Sequence, residues 1–332
     1  MKKILNDVYS YVDEMLVGLC AAHPEFYAQP EPAARVIKRP EAPVAGKVGI
    51  VTGGGSGHLP VFTGYVGPGL LDAAAIGDVF ASPSADQMAE AQRAANGGAG
   101  VLCLYGNYGG DVMNFDMARD MVGMEDIEST CVVLTDDVAS AKPEEAEKRR
   151  GVAGIVYAFK IAGAAADAGK DLGEVTRIAQ KAADSCRSVG AALTSCTVPQ
   201  AGKPTFEIGE DEMEMGMGLH GEPGVWRGPL KPANDIAAEM VDMLLADQPL
   251  ARGDRVSPLI NSLGATPPEE LYILYRTVKG RLDDMGVEIV MPLVGRYATS
   301  MEMSGVSFTF CKLDAELEGY LKTPAACGFW RV

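Results

Sequence analysis

The segment KVGIVTGGGSGH, residues 47–58, runs a strongly apolar stretch straight into four glycines, a serine and a histidine. It reads as a buried β-strand that ends in a loop nearly bare of side chains. Strand, glycine-rich loop, helix is the repeating unit of α/β folds. The unit recurs in GVLCLYGNYGGD, residues 100–111, where VLCLY is the strand. TCVVLTDD, residues 130–137, is a third run and ends on two aspartates. Helical patterns lie between them at SADQMAEAQRAAN (84–96) and NFDMARDMV (114–122). Residues 151–170, GVAGIVYAFKIAGAAADAGK, read as a long alanine-rich helix with few charges, hence largely buried. The opening MKKILNDVYSYVDEML reads as an amphipathic helix.

After residue 185 the pattern changes. Residues 206–224 alternate and turn, 235–246 form an amphipathic helix, and 254–314 read strand, helix, strand, strand. In TPPEE the early prolines and the acids of the first turn mark a helix start. Met213, Met215 and Met217 alternate as one face of a strand. The expected fold is therefore α/β, with a second domain of α+β packing. A three-layer sheet domain over residues 1–185 carries the GGGSGH and NYGGD loops. A smaller α+β domain over 186–332 carries the GLHGEPG loop.

Charge limits what such a chain can bind. The formal net charge is −16 and the isoelectric point near 4.7, a field that repels nucleic acid and anionic membrane. A neutral substrate meets no such barrier. No window approaches ~18 uninterrupted apolar residues, so no membrane span is expected. The N-terminus lacks a cleavage site of small residues, and a cytoplasmic location follows. The seven cysteines form no CxxC pair and sit among apolar neighbours, which suits reduced core thiols and no structural zinc.

Two of the three histidines lie in glycine-rich loops, His58 in GGGSGH and His220 in GLHGEPG. His23 has a plain context and is given no role. GGGSGH is neither a Walker loop nor G-x-G-x-x-G, so it is no generic nucleotide fingerprint. NYGGD offers Asn107, Tyr108 and Asp111. Loops at the carboxyl ends of neighbouring strands converge on one crevice, where a histidine and an aspartate suit proton transfer with a hydroxyl. Structural roles fit as well: a tight turn with an exposed histidine for His58, a helix N-cap for Asp111. His58 and His220 have no HxH or HxxxH partner, so a metal site is not expected.

Taken together and in order, GGGSGH, NYGGD, RRGVAG, TVPQAGKPTF, EMGMGLHGEPG and NSLGATPPEELY resemble the ketose-binding subunit of dihydroxyacetone kinases over nearly the whole chain. The resemblance implies a homodimer and a histidine, matched here by His220, whose ring nitrogen adds to a ketone as a hemiaminal. A neutral imidazole is a fair nucleophile for a carbonyl, and such capture favours ketones over polyols. Asp111 matches the base that takes a proton from the terminal hydroxyl, and His58 the histidine that bonds the substrate hydroxyls. Gly54, Gly55 and Ser56 would lie against the ketose through their backbone. On this reading His58 stands in a bare loop because its partner is a small sugar and not the protein.

The resemblance also implies that no cofactor sits on this chain. Mg-ADP or Mg-ATP would be held by a separate helical (DhaL-type) subunit, with a phosphohistidine carrier (DhaM-type) as a further partner if the donor is phosphoenolpyruvate. The chain departs from the family at Gly106, where the best-known members carry a lysine, and at Leu59, where an acid is usual. The lost lysine would leave room for a four-carbon ketose such as erythrulose. A non-catalytic ketose sensor or coactivator is the alternative, which needs His220 but not Asp111 as a base.

Overall fold

The computed structural model describes residues 2–30 and 35–332. Its first helix, α1 (Tyr11–Ala22), starts later than the amphipathic pattern suggests. The Asp7 side chain accepts the Tyr9 amide at 2.8 Å, a local turn that competes with helix over the opening residues.

The first sheet takes β1 (Val36–Lys38), β2 (Gly49–Ser56), β3 (Ala73–Val79), β4 (Val101–Gly106) and β5 (Ser129–Leu134) in the order β1-β3-β2-β4-β5. All its pairings are parallel except β1 with β3. Alternation along β4 sends Val101, Cys103 and Tyr105 to one face and Leu102 and Leu104 to the other. The first face packs under α2 (Ala85–Ala95) and α3 (Gly109–Gly123), the second under α4 (Gly154–Asp167) and α5 (Leu172–Asp184). Ser84 opens α2 with a capping box to Gln87, the arrangement that fixes a helix start.

The second sheet holds β6 (Cys186–Ala192), β7 (Glu212–Met215), β8 (Trp226–Pro229), β9 (Arg255–Ser262), β10 (Glu288–Ile289), β11 (Leu293–Gly295) and β12 (Gly305–Leu313). Its order is β10-β9-β12-β6-β7-β8, with β11 also on β9. Phe308 and Phe310 of β12 face α6 (Ala233–Asp247) and α7 (Pro268–Met285), while Cys311 and Leu313 face α4 and α8 (Ala315–Leu321). Met213 and Met215 belong to the α6/α7 core. Met217 lies past the end of β7 and joins the other core, so the three methionines do not share one face.

Helix α4 is thus wedged between two sheets, which is why Ile155 through Ala166 are buried without a break. A helix apolar on all sides is what that position demands. Its one cation, Lys160, donates its Nζ to the Tyr320 carbonyl at 2.7 Å, close to the C-terminus of α8, where a positive charge is favourable. Burial pushes that amine down to about 8. The final residues return to the first sheet's side: Ala326 donates its amide to the Pro68 carbonyl at 3.0 Å, and Trp330 joins the shared core.

Candidate active site

Strands β2, β3 and β4 of the parallel sheet all end at one edge, and Gly55 of β2 and Gly106 of β4 line one wall of a small cavity there. Strand β2 runs through GGGS itself: Gly53–Ser56 pair with β3, so the glycines are strand and not loop. Packing explains their bareness. A Cβ on Gly54 would meet the Phe62 ring at 2.0 Å, and one on Gly55 the backbone of Ala81 at 2.7 Å. Past Ser56 the chain turns and sets His58 inward.

His58 is only 2% exposed. Its Nδ1 lies 2.7 Å from the Thr299 carbonyl, its Nε2 lies 3.0 Å from the Nε2 of His220, and its ring stacks on Phe80 at 4.9 Å. The expectation that its partner is not the protein is therefore corrected: protein groups occupy both ring nitrogens and one face. Phe80 holds this place with φ +59°, a conformation that bulky side chains rarely adopt.

His220 comes from the turn after β7. Glu222 takes both its backbone amide and its Nδ1, each at 2.9 Å. Ser300 donates to the Leu219 carbonyl, and Met301 donates its amide to the Gly57 carbonyl at 2.8 Å. Residues 299–301 thereby tie the two histidine loops together.

The hydrogen bonds fix the proton inventory. Thr299 offers a carbonyl and Glu222 a carboxylate, which only accept, so each Nδ1 carries its ring's hydrogen. The contact between the two Nε2 atoms is a hydrogen bond only when one further proton lies between them. Burial, aided by the neighbouring His220, pushes His58 down to about 3, against the raising effects of its hydrogen bond to Thr299 and of Glu222. Burial alone would raise Glu222, but the hydrogen bond and charge of His220 outweigh it and hold the carboxyl at about 2.

Asp111 is the third member. It stands in the first turn of α3, whose N-cap is Tyr108, so the helix starts earlier than residue 114 and Asp111 is not a cap. Its Oδ1 is buried and has no hydrogen-bond partner among the described residues. Burial raises the carboxyl to about 6, against the lowering effects of a Ser82 hydrogen bond and of His220. A carboxylate so poised is a base near neutral pH.

The cavity is about 20 Å³ and is lined by Gly55, His58, Asp111 and His220 with Gly106, Tyr108 and apolar residues such as Phe62, Ile155 and Leu219. Gly54 and Ser56 are not in its wall. Ser56 and Leu59 face a different, outer cleft of about 530 Å³ beside Met15 and Phe329. Nor is the space beside Gly106 empty: a Cβ there would meet the Tyr108 ring at 3.1 Å. The expected spare volume is filled by that tyrosine.

Sequence reading left Phe80, Ser82, Tyr108, Glu222 and Thr299 without a role. Glu222 alone had a usable signal, a carboxylate two residues past a histidine in a turn. Arg149 and Arg150 of RRGVAG are structural here. Arg149 bonds Asp247 at 2.5 and 3.0 Å, and Arg150 bonds Asp137 at 2.8 Å. Among the described residues no three His, Cys, Asp or Glu side chains converge to hold a metal ion.

A Dak1 domain matches residues 17–328. The chain belongs to the Dak1 family. It is 44% identical over 316 residues to a Listeria innocua protein, the dihydroxyacetone-binding subunit DhaK of PTS-dependent dihydroxyacetone kinase 1, covering 95% of each chain. It is 45% identical over 325 residues to a D-erythrulose kinase of Mycolicibacterium smegmatis, covering 98% of this chain and 56% of that one. Among solved structures, the C. freundii dihydroxyacetone kinase superposes with a TM-score of 0.89 at 32% identity, over 99% of this chain and 60% of that one. The dihydroxyacetone kinase operon co-activator DhaQ superposes with a TM-score of 0.87 at 32% identity, over 96% and 97%. The chain thus spans the DhaK relative almost fully and a little over half of the two longer kinases.

Proposed function

We propose that this Dak1 chain is the ketose-binding subunit of a dihydroxyacetone-type kinase, holding a short ketose as a hemiaminal on His220 while its terminal hydroxyl is phosphorylated. The observation that carries the reading is the meeting of His58, His220 and the unpartnered Asp111 oxygen in one cavity. A coactivator such as DhaQ has no need of a desolvated base.

Capture begins when the proton between the rings shifts to His58, which frees the Nε2 lone pair of His220. That nitrogen bonds the ketone carbon, the C=O π pair moves to oxygen, and His58 delivers its proton there. His58 returns to neutral. The alkylated His220 ring keeps its Nδ1–H and takes on the positive charge, which Glu222 balances. Asp111 then takes the proton of the terminal hydroxyl as that oxygen attacks phosphorus. The phosphoryl group would come from a magnesium-bound nucleoside triphosphate on a helical partner subunit, leaving the diphosphate there, and a phosphohistidine carrier would recharge it if the route is PTS-dependent. In this reading the chain is a cytoplasmic homodimer serving glycerol metabolism. The D-erythrulose kinase relative supports a four-carbon ketose as the second substrate reading.

Asp111→Asn separates kinase from coactivator. The amide keeps size and loses basicity, so ketose binding should persist while turnover with saturating partner subunit falls by about 10²–10⁴. Near-normal turnover would end the assignment of the base.

A further inference from the structure

The cavity beside His220 is too small for any ketose. About 20 Å³ admits roughly one water, whereas a triose needs several times a water's volume. The largest side chain filling the space is Tyr108. Its ring stands edge-on to His220 at 4.9 Å and 86° and covers the face of Gly106. Among the described residues one hydrogen bond holds it there, from its hydroxyl to the Gly151 carbonyl at 3.0 Å. Its neighbour Asn107, in contrast, is pinned through its side-chain amide to the carbonyls of Glu147 and Arg149, at 3.0 and 2.8 Å. Tyr108 therefore sits on a fixed joint between β4 and α3, with a ring that one hydrogen bond retains.

The geometry points to Tyr108 as the specificity-determining residue of this site: its ring closes the ketose cavity in the free protein and, once displaced, sets the length of ketose admitted. The inference rests on the ketose-binding reading above. Because Gly106 brings no side chain, the ring's volume is the main space that a substrate tail can claim. A triose needs part of it and a tetrulose more. Swinging the ring out breaks the Gly151 bond, so the closed form taxes every ketose by the same factor, while the ring's residual bulk discriminates by length.

Two substitutions separate these effects. Tyr108→Phe keeps the ring and removes the Gly151 bond, and Tyr108→Ala removes the ring. Binding of dihydroxyacetone and of erythrulose is measured by titration calorimetry on the full chain without partner, with His220→Ala as control. Tyr108→Phe should tighten both ketoses about three- to tenfold, the worth of one buried hydrogen bond. Tyr108→Ala should raise the affinity ratio of erythrulose to dihydroxyacetone by about tenfold or more. If both ketoses bind in a His220-dependent way and neither variant changes affinity or ratio, the assignment to Tyr108 is wrong and the ketose reading stands. If no ketose binds the wild type or either variant, or His220→Ala binds as well as wild type, the underlying reading falls and this inference with it.

Discussion

Asp111→Asn should make the protein more stable at neutral and higher pH, although it disables the proposed base. Burial moves the carboxyl from its ordinary 3.8 to about 6. The folded state thus binds a proton more tightly than the unfolded chain does, and above pH 6 folding must bury a charge. At 1.36 kcal/mol per pH unit this separation is worth about 3 kcal/mol. The penalty is complete above the folded value, shrinks as pH falls through it, and vanishes below the unfolded value. Linkage gives about 3 kcal/mol at pH 8 and about 1 kcal/mol at pH 4.5. A neutral amide of the same shape escapes it, so the variant should gain about 2–3 kcal/mol at pH 8 and markedly less at pH 4.5. Urea unfolding of both proteins at the two pH values measures the difference. A variant less stable than wild type at pH 8, or a gain independent of pH, would refute the claim that Asp111 is a desolvated carboxylate.

Glu222→Gln leaves His220 with a neutral neighbour in place of its counter-charge. Ketose affinity of the chain alone should fall about 10- to 100-fold, the range for a hydrogen bond to a charged group, and calorimetry reads it directly. Gly54→Ala places a methyl 2.0 Å from the Phe62 ring. It should destabilise the fold by roughly 1–3 kcal/mol and weaken ketose binding, because Phe62 lines the cavity. Gln92, on α2, is fully buried with neither amide atom hydrogen-bonded among the described residues. Gln92→Met should therefore stabilise by about 1–3 kcal/mol in denaturant unfolding.

The sheets were legible wherever an apolar run was long: β2, β4, β5, β9 and β12 all lie where the sequence puts strands. Strand β3, AAAIGDV, escaped because small residues buried between helix and sheet carry little hydrophobic contrast. The catalytic candidates were legible as rare residue types in glycine-rich stretches, yet the reason for the bareness was not. Glycines at 54 and 55 answer to Phe62 and to the Phe80–Ala81 backbone, neighbours that only the folded chain reveals. For the same reason Gly106 read as empty space: nothing in the sequence says that Tyr108 folds back across it. Phe80 left no mark at all, since its part depends on a backbone torsion.

The wedge position of α4 also bears on synthesis. When residue 185 has left the ribosome, the first sheet, α4 and α5 are all available to fold. The face of α4 that meets Cys311 and Leu313 still has no partner. The β12 side of that strip stays uncovered until β12 emerges, well over a hundred residues later, which at ~5–20 residues per second is several seconds or more.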